Sequence, residues 1–305
     1  MILDELSVRT QPRGGTVYRG MRARGQLDQL DEPRIIILVH GFNVDCKGAQ
    51  HTYQEFLERL QVQAWPTPLQ SYGAFWGFYW PGDHRSRVMS VVTFPVRIDE
   101  AKEAGRQLAR LIIDRLKPNQ EIFFVAHSLG CRVVMEALYE IAVREHQAGI
   151  NLGAPVRGVF LMAGAVPYQL CQDHADFRRR DPLRPRDWVI HSAHDWVLHW
   201  SFPGGEWAQG ERGGEAIGRH GWPAGRWLHS VPTELGHGDY WTTWPLVIEN
   251  VPEMLGRPVA HQPSQRPDGS HSGTLPSSDL ATRSIDIREV GTPLESDWKV
   301  LLEPI

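Results

Sequence analysis

Short β-branched runs and amphipathic stretches alternate along most of this chain. Residues 35 to 39, Ile-Ile-Ile-Leu-Val, form an apolar run ending in His40-Gly41, as a strand covered on both faces should. Gln50 to Leu60 has helical spacing, and Ala74 to Tyr79 reads as a strand stopped by Trp80-Pro81-Gly82. Glu100 to Leu116 sets Ala104, Leu108, Leu111, Ile112 and Leu116 on one helical face, and Lys117-Pro118-Asn119 ends it. Glu121 to Val125 predicts a third buried strand, followed by a helix over Cys131 to Arg144 with Val134, Leu138 and Ile141 on one side. Val156 to Ala163 and Trp188 to Ser192 are further strands, and Leu228 to Val231 carries a weaker strand signal.

Strands alternating with helices at this spacing imply an α/β fold with a mostly parallel central sheet and helices on both faces. Such sheets keep their chemistry at the carboxyl ends of the strands. Residues 1–255 are read as one catalytic domain in which 201–227, rich in glycine and tryptophan, form a loop or lid insertion. Beyond Gly256 the chain turns polar, so 256–305 read as a linker and tail. Within that tail, Ser284 to Leu302 keeps a partly alternating, strand-like pattern at Ile285, Ile287 and Val290.

Composition narrows the class. With 305 residues, 41% hydrophobic and 22% charged, the chain can bury a sizeable core. A net charge of −4 gives no general attraction to nucleic acid. Three cysteines without a CxxC spacing argue against both a disulfide framework and a thiolate metal site. The first residues carry Asp4 and Glu5 and no apolar core, unlike a secretory signal, and no run approaches the roughly 20 apolar residues of a membrane span. The expectation is a cytoplasmic protein with no nucleic-acid partner and no transmembrane segment.

The segment most charged with chemistry is Val125-Ala126-His127-Ser128-Leu129-Gly130, which joins a strand to a helix through a serine with a small residue two positions away on each side, Ala126 and Gly130. A serine there can equally be a helix N-cap. Either way it stands at the positive end of a helix dipole, where developing negative charge is stabilised. Asp195 follows the Trp188 to Ser192 strand, with Asp187 at that strand's other end; Asp195 also suits a turn or cap. Among the later histidines, His220, His229 and His237, the last sits in the glycine-flanked loop Leu235-Gly-His-Gly-Asp-Tyr-Trp241 before a helix expected over Tyr240 to Leu255. Asp239 competes for its ring.

These residues resemble the α/β-hydrolases. Ala126 to Gly130 is similar to the G-x-S-x-G nucleophile elbow, with Ala126 replacing the first glycine, and the order serine, acid, histidine matches that fold. The resemblance implies a catalytic Ser128, Asp195 and His237. It also implies an oxyanion hole from the backbone N–H groups of Phe42 and Leu129, supported by His40, Gly41 and Gly130. More narrowly, VHGFN, Phe78-Tyr79-Trp80-Pro81, AHSLG, HDWVL and GHGDYW resemble a bacterial α/β-hydrolase group of unknown function. The implied activity is serine hydrolysis of a carboxylic ester through an acyl-enzyme. Its partner would be a small-molecule ester or acyl substrate, with no metal or organic cofactor. Amide or thioester cleavage by the same residues, and a non-catalytic binding module on the same fold, are the alternatives.

Other clusters carry weaker readings. His191, His194 and His199 have spacings compatible with metal binding but no common helix face. Arg178-Arg179-Arg180 with Arg184 and Arg186 is interrupted by Asp176, Asp181 and Pro182, as in a solvated loop. Trp196, Trp200, Trp207, Trp222 and Trp227 gather near the expected lid, where indoles line an acyl pocket, touch a membrane surface, or fill a satellite core.

Overall fold

The computed structural model describes residues 3–83, 94–150, 155–171, 187–200, 202, 214–221, 228–242, 251, 255–258 and 299–302. Its strands are β1 (Asp4–Arg9), β2 (Val17–Arg24), β3 (Arg34–Val39), β4 (Ala74–Tyr79), β5 (Glu121–His127), β6 (Val156–Met162), β7 (Asp187–His191), β8 (Leu228–Pro232) and β9 (Lys299–Leu302). The long helices are α1 (Cys46–Ala64), α2 (Phe94–Asp114) and α3 (Leu129–Ala148). The strands lie in the order β8-β7-β6-β5-β3-β4-β1-β2-β9. From β8 to β1 every neighbouring pair is parallel, and the two pairs at the other edge, β1–β2 and β2–β9, are antiparallel.

Strands β3 and β5 occupy the centre, with Ile37 facing Trp76 of β4 on one side and Phe124 of β5 on the other. Residues Ile35 to Val39 are all fully buried. Because side chains alternate between faces, that unbroken burial requires cover on both sides of the sheet. Asp45 caps α1 by accepting from the Gly48 N–H at 2.8 Å. Gly149, in the left-handed conformation, ends α3. Helices α2 and α3 touch closely at Gly105, where a Cβ would stand 2.7 Å from the Val133 carbonyl oxygen.

Each strand expected between residues 35 and 231 is present, within a residue or two of its predicted ends, whereas the helices expected over 50–60, 100–116 and 131–144 run longer than expected. The strands β1 and β2 were not expected. Their sequences, Asp-Glu-Leu-Ser-Val-Arg and Val-Tyr-Arg-Gly-Met-Arg-Ala-Arg, carry only two alternating apolar positions each, Leu6 and Val8 and Met21 and Ala23, all four fully buried, among charged residues that mask the pattern. Arg24 bridges Glu5 at 2.5 Å, and Asp4 accepts the Gln26 N–H at 2.9 Å. Of the strand-like stretch Ser284 to Leu302, Ile285, Ile287 and Val290 lie outside the described residues; its last four residues form β9, which pairs with β2 at the sheet edge with Leu301 and Leu302 buried.

The expected final helix begins differently: residues 240–242 form a turn, while 251 and 255 are helical and 243–250 lie outside the described residues. Of the expected lid, residues 201, 203–213 and 222–227 also lie outside them, as does the arginine-rich segment 178–186. The described part of 201–227 is tied to the end of β6. Ile217 and Gly218 donate to the carbonyls of Val166 and Gly164, and a Cβ on Gly218 would stand 2.2 Å from the Ala163 backbone.

Candidate active site

At the end of β5 the chain reverses into α3 through Ser128, whose φ of 52° and ψ of −123° lie in a region that non-glycine residues rarely enter. The turn is held from several sides. The Ser128 N–H donates to the Met162 carbonyl at 2.9 Å, and its own carbonyl accepts from Cys131 and Ala165, each at 3.1 Å. Ser128 occupies the N-cap position of α3, yet its hydroxyl makes no capping hydrogen bond. That Oγ lies instead 2.8 Å from His237 Nε2.

His237 spans two partners. Its Nδ1 is 2.7 Å from Asp195 Oδ2. A carboxylate only accepts, so Nδ1 carries the proton and Nε2 is left to accept from the serine hydroxyl. Asp195 is fully buried, and its other oxygen accepts the Leu198 N–H at 2.9 Å, capping the helical turn 196–200. The cap reading and the histidine-partner reading of Asp195 are therefore both realised, one by each oxygen. Asp187 is committed elsewhere, accepting the Val159 N–H at 3.0 Å.

The competing residues are engaged apart from Ser128. His229 stacks on Trp188 at 4.3 Å, and His220 lies 3.8 Å from Glu215. Asp239 closes its own turn by accepting the Gly236 N–H at 3.0 Å and so leaves the His237 ring to Asp195. Among the described residues, no three His, Cys, Asp or Glu side chains cluster as a metal site would require. His194 pairs with Glu234, and His199 packs edge-on against Trp200.

Two glycines permit the close approach of β3 to the elbow. A Cβ on Gly130 would meet the carbonyl oxygens of His40 and Val39 at 2.3 and 2.6 Å, and one on Gly41 would stand 2.9 Å from Ser128 Cβ. Leu129 is the first residue of α3, where backbone N–H groups have no intrahelical acceptor. Phe42 follows Gly41 on the loop after β3, and the next N–H, from Asn43, donates to Gly82 at 2.8 Å.

That loop is braced by residues whose part sequence reasoning missed. Trp80 donates its indole N–H to the His40 carbonyl at 2.8 Å and its backbone N–H to His40 Nε2 at 3.3 Å. His40 Nδ1–H in turn donates to the Gly41 carbonyl at 2.9 Å. Burial foremost, and then the charge of Arg9, hold this imidazole down to about 4, so it is neutral near pH 7. Arg9 forms a buried ion pair with Asp83 and donates to the Trp80 carbonyl at 2.7 Å, while Asp83 accepts from Gly14. Trp80 belongs to the quoted FYWP signature, a visible signal without a visible role. Arg9 and Asp83 are 74 positions apart and carry no signal that links them.

The neighbouring thiol Cys131 is fully buried and donates toward the Ala126 carbonyl at 3.3 Å; burial pushes it well above the usual thiol range. Of the tryptophans, Trp196 and Trp200 are exposed at 67% and 72% on the helical turn 196–200, whereas Trp207, Trp222 and Trp227 lie outside the described residues. No described helix is long and apolar enough to cross a membrane.

A strand-to-helix turn that forces a serine to positive φ within a parallel sheet is the arrangement of the α/β-hydrolase class. Within it, the chain belongs to the family described as "Alpha/beta hydrolase of unknown function (DUF900)", whose model matches residues 22–202, a span holding Ser128 and Asp195 but ending before His237. A rice protein (Oryza sativa subsp. japonica), "Transmembrane and coiled-coil domain-containing protein STS1", is 26% identical over 208 residues, which are 67% of this chain and 27% of that protein. The chain thus spans about a quarter of that relative's length. Among solved structures, acyl-protein thioesterase 2 of Zea mays is 12% identical with a TM-score of 0.35, covering 83% of this chain and 99% of that one. An esterase of Pyrobaculum calidifontis is 14% identical with a TM-score of 0.37, covering 77% and 79%. A fungal esterase from Rhizomucor miehei is 12% identical with a TM-score of 0.39, covering 77% and 78%.

Proposed function

We propose that the chain is a serine hydrolase that cleaves a small carboxylic ester through an acyl-enzyme, with Ser128 as nucleophile, His237 as base and Asp195 as its orienting acid. The observation that carries this reading is the single imidazole held between the Ser128 hydroxyl at 2.8 Å and the Asp195 carboxylate at 2.7 Å. His237 Nε2 takes the hydroxyl proton as Oγ attacks the ester carbonyl, and the new oxyanion is met by the N–H groups of Leu129 and Phe42. A donor aimed at that oxygen stabilises the transition state by roughly 3 kcal/mol. The imidazolium then returns its proton to the departing alkoxide, leaving acyl-Ser128 and an alcohol. Water, deprotonated by the same nitrogen, attacks the acyl carbon and releases the acid with serine restored. Asp195 keeps the proton on Nδ1 throughout and offsets the charge that forms on the ring.

The test is covalent capture. A fluorophosphonate should modify the parent protein at Ser128 and leave Ser128→Ala unmodified. A parent protein inert both to the probe and to a panel of p-nitrophenyl esters would instead favour a binding module. Comparing that panel with matched amides and thioesters ranks the acyl chemistry. A second reading, action at a lipid–water boundary, is favoured by the exposed Trp196 and Trp200 on the helical turn that Asp195 caps. It predicts faster turnover of micellar than of monomeric ester, and loss of that preference in Trp196→Ser/Trp200→Ser.

A further inference from the structure

The residue before the nucleophile holds a position that the proposed chemistry does not use. His127 is buried at the end of β5, and its Nε2 lies 2.7 Å from the backbone carbonyl oxygen of His237. A carbonyl only accepts, so Nε2 carries the proton and donates. The same ring lies 5.2 Å from the His237 ring and 5.9 Å from Tyr240, and its Nδ1 would stand 3.1 Å from a Cβ placed on Gly41. One imidazole therefore touches the nucleophile turn, the loop after β3 and the loop that presents His237.

We propose that His127 is a positioning residue: its Nε2–H pins the main chain of His237 so that the ring falls between Ser128 and Asp195. The inference rests on the reading given under Proposed function and adds to it what sets the base in place. The His237 loop is a short glycine-flanked turn, tied down by Asp239 on Gly236 and by Thr233 on the His191 carbonyl. Those ties close the turn and anchor its approach, but neither touches residue 237. The hydrogen bond from His127 holds that residue itself, and so fixes where its Cα–Cβ bond starts. Desolvation, and then the proximity of His237, hold His127 down to about 3, which keeps the ring neutral and leaves Nε2 a donor.

The experiment compares the parent with His127→Leu, which fills the space without a donor, and His127→Gln, whose amide nitrogen reaches the place of Nε2. Three quantities are read: the rate of fluorophosphonate capture of Ser128, the far-downfield proton resonance of the His237–Asp195 hydrogen bond, and the urea midpoint. In His127→Leu, capture should slow by about 10²-fold, as expected for a displacement of order 1 Å at a reacting group, and the downfield resonance should be lost. In His127→Gln both should return, even where the urea midpoint stays low. A folded leucine variant with the parent's rate and resonance overturns the proposal. A glutamine variant as slow as the leucine one overturns it too, since bulk and not the donor would then matter. If His127→Leu does not fold, His127→Asn, which keeps a buried amide but retracts the donor, replaces it with the same two outcomes. A parent that resists the probe yet loses the resonance in His127→Leu refutes the hydrolase reading alone and leaves the positioning role standing.

Discussion

The carbonyl oxygen of His40 stands so near Gly130 that a Cβ there would lie 2.3 Å from it, well inside van der Waals contact. Strand β3 and helix α3 touch backbone to backbone at this point, with Ser128 two residues away. Gly130→Ala should therefore force the first turn of α3 off β3 and displace both the Ser128 hydroxyl and the Leu129 N–H. The expected result is a loss of more than about 10²-fold in ester turnover, together with a clear drop in the urea midpoint. An alanine variant with the parent's turnover would show that the contact relaxes without consequence.

Asp195 divides its two oxygens between His237 and the Leu198 N–H, which separates its proposed catalytic role from its structural one. Asp195→Asn keeps an oxygen for the cap but no longer holds the imidazole in the required tautomer. Turnover should fall by roughly 10⁴-fold while the melting temperature changes little. Asp195→Ala should lose a similar amount of activity and, in addition, about 1 kcal/mol of stability from the cap. Steady-state kinetics and thermal melts on the two variants distinguish these effects.

Arg9 and Asp83 are both almost fully buried, and their pair ties β1 to the segment after β4 through the Trp80 carbonyl. Removing one partner strands the other charge in a dry site, so Arg9→Met or Asp83→Leu alone should cost about 3 to 5 kcal/mol in urea unfolding. Replacing both should recover much of that loss, because no charge is left unpaired. A double variant no better than the worse single one would show that the pair does more than compensate itself.

His40 and His127 are held down to about 4 and about 3, in each case chiefly by desolvation. Around His40 stand Arg9, Asp83 and Asp45, and around His127 stand His237 and His40. Unfolded, both would titrate near 6.5. Above that pH neither state binds the proton and the pair costs nothing. As pH falls below 6.5 the unfolded chain gains protons that the folded one refuses, so stability declines toward pH 4 and, for His127, pH 3. At 1.36 kcal/mol per unit this is about 3 kcal/mol for His40 and about 5 kcal/mol for His127, comparable to the whole stability of many domains. Urea midpoints should be level above about pH 6.5 and fall steeply below it, and His127→Gln should lose about one proton's worth of that slope. A flat profile down to pH 4.5 would contradict the burial of both rings.

What this chain's sequence determined by itself was local. A β-branched run covered on both faces, a serine with a small residue two positions away on each side at a strand–helix junction, and an aspartate just past a strand are each legible because their causes act over a few neighbouring residues. The order of strands and helices carried the parallel core of the sheet for the same reason. The tertiary structure decided what no short window contains. Strands β1 and β2 bury Leu6, Val8, Met21 and Ala23 in the core while Asp4, Glu5, Arg9 and Arg24 meet partners outside any short window, so charged residues that read as solvated in sequence are accommodated in the sheet. The ring of His237, and not that of His229 or His220, reaches Ser128 because the loop after β8 passes over the end of β5, where the His127 donor meets its backbone. Such contacts join residues about 110 positions apart, and their geometry depends on how the sheet stacks its strands, a property of the whole fold that local sequence does not encode.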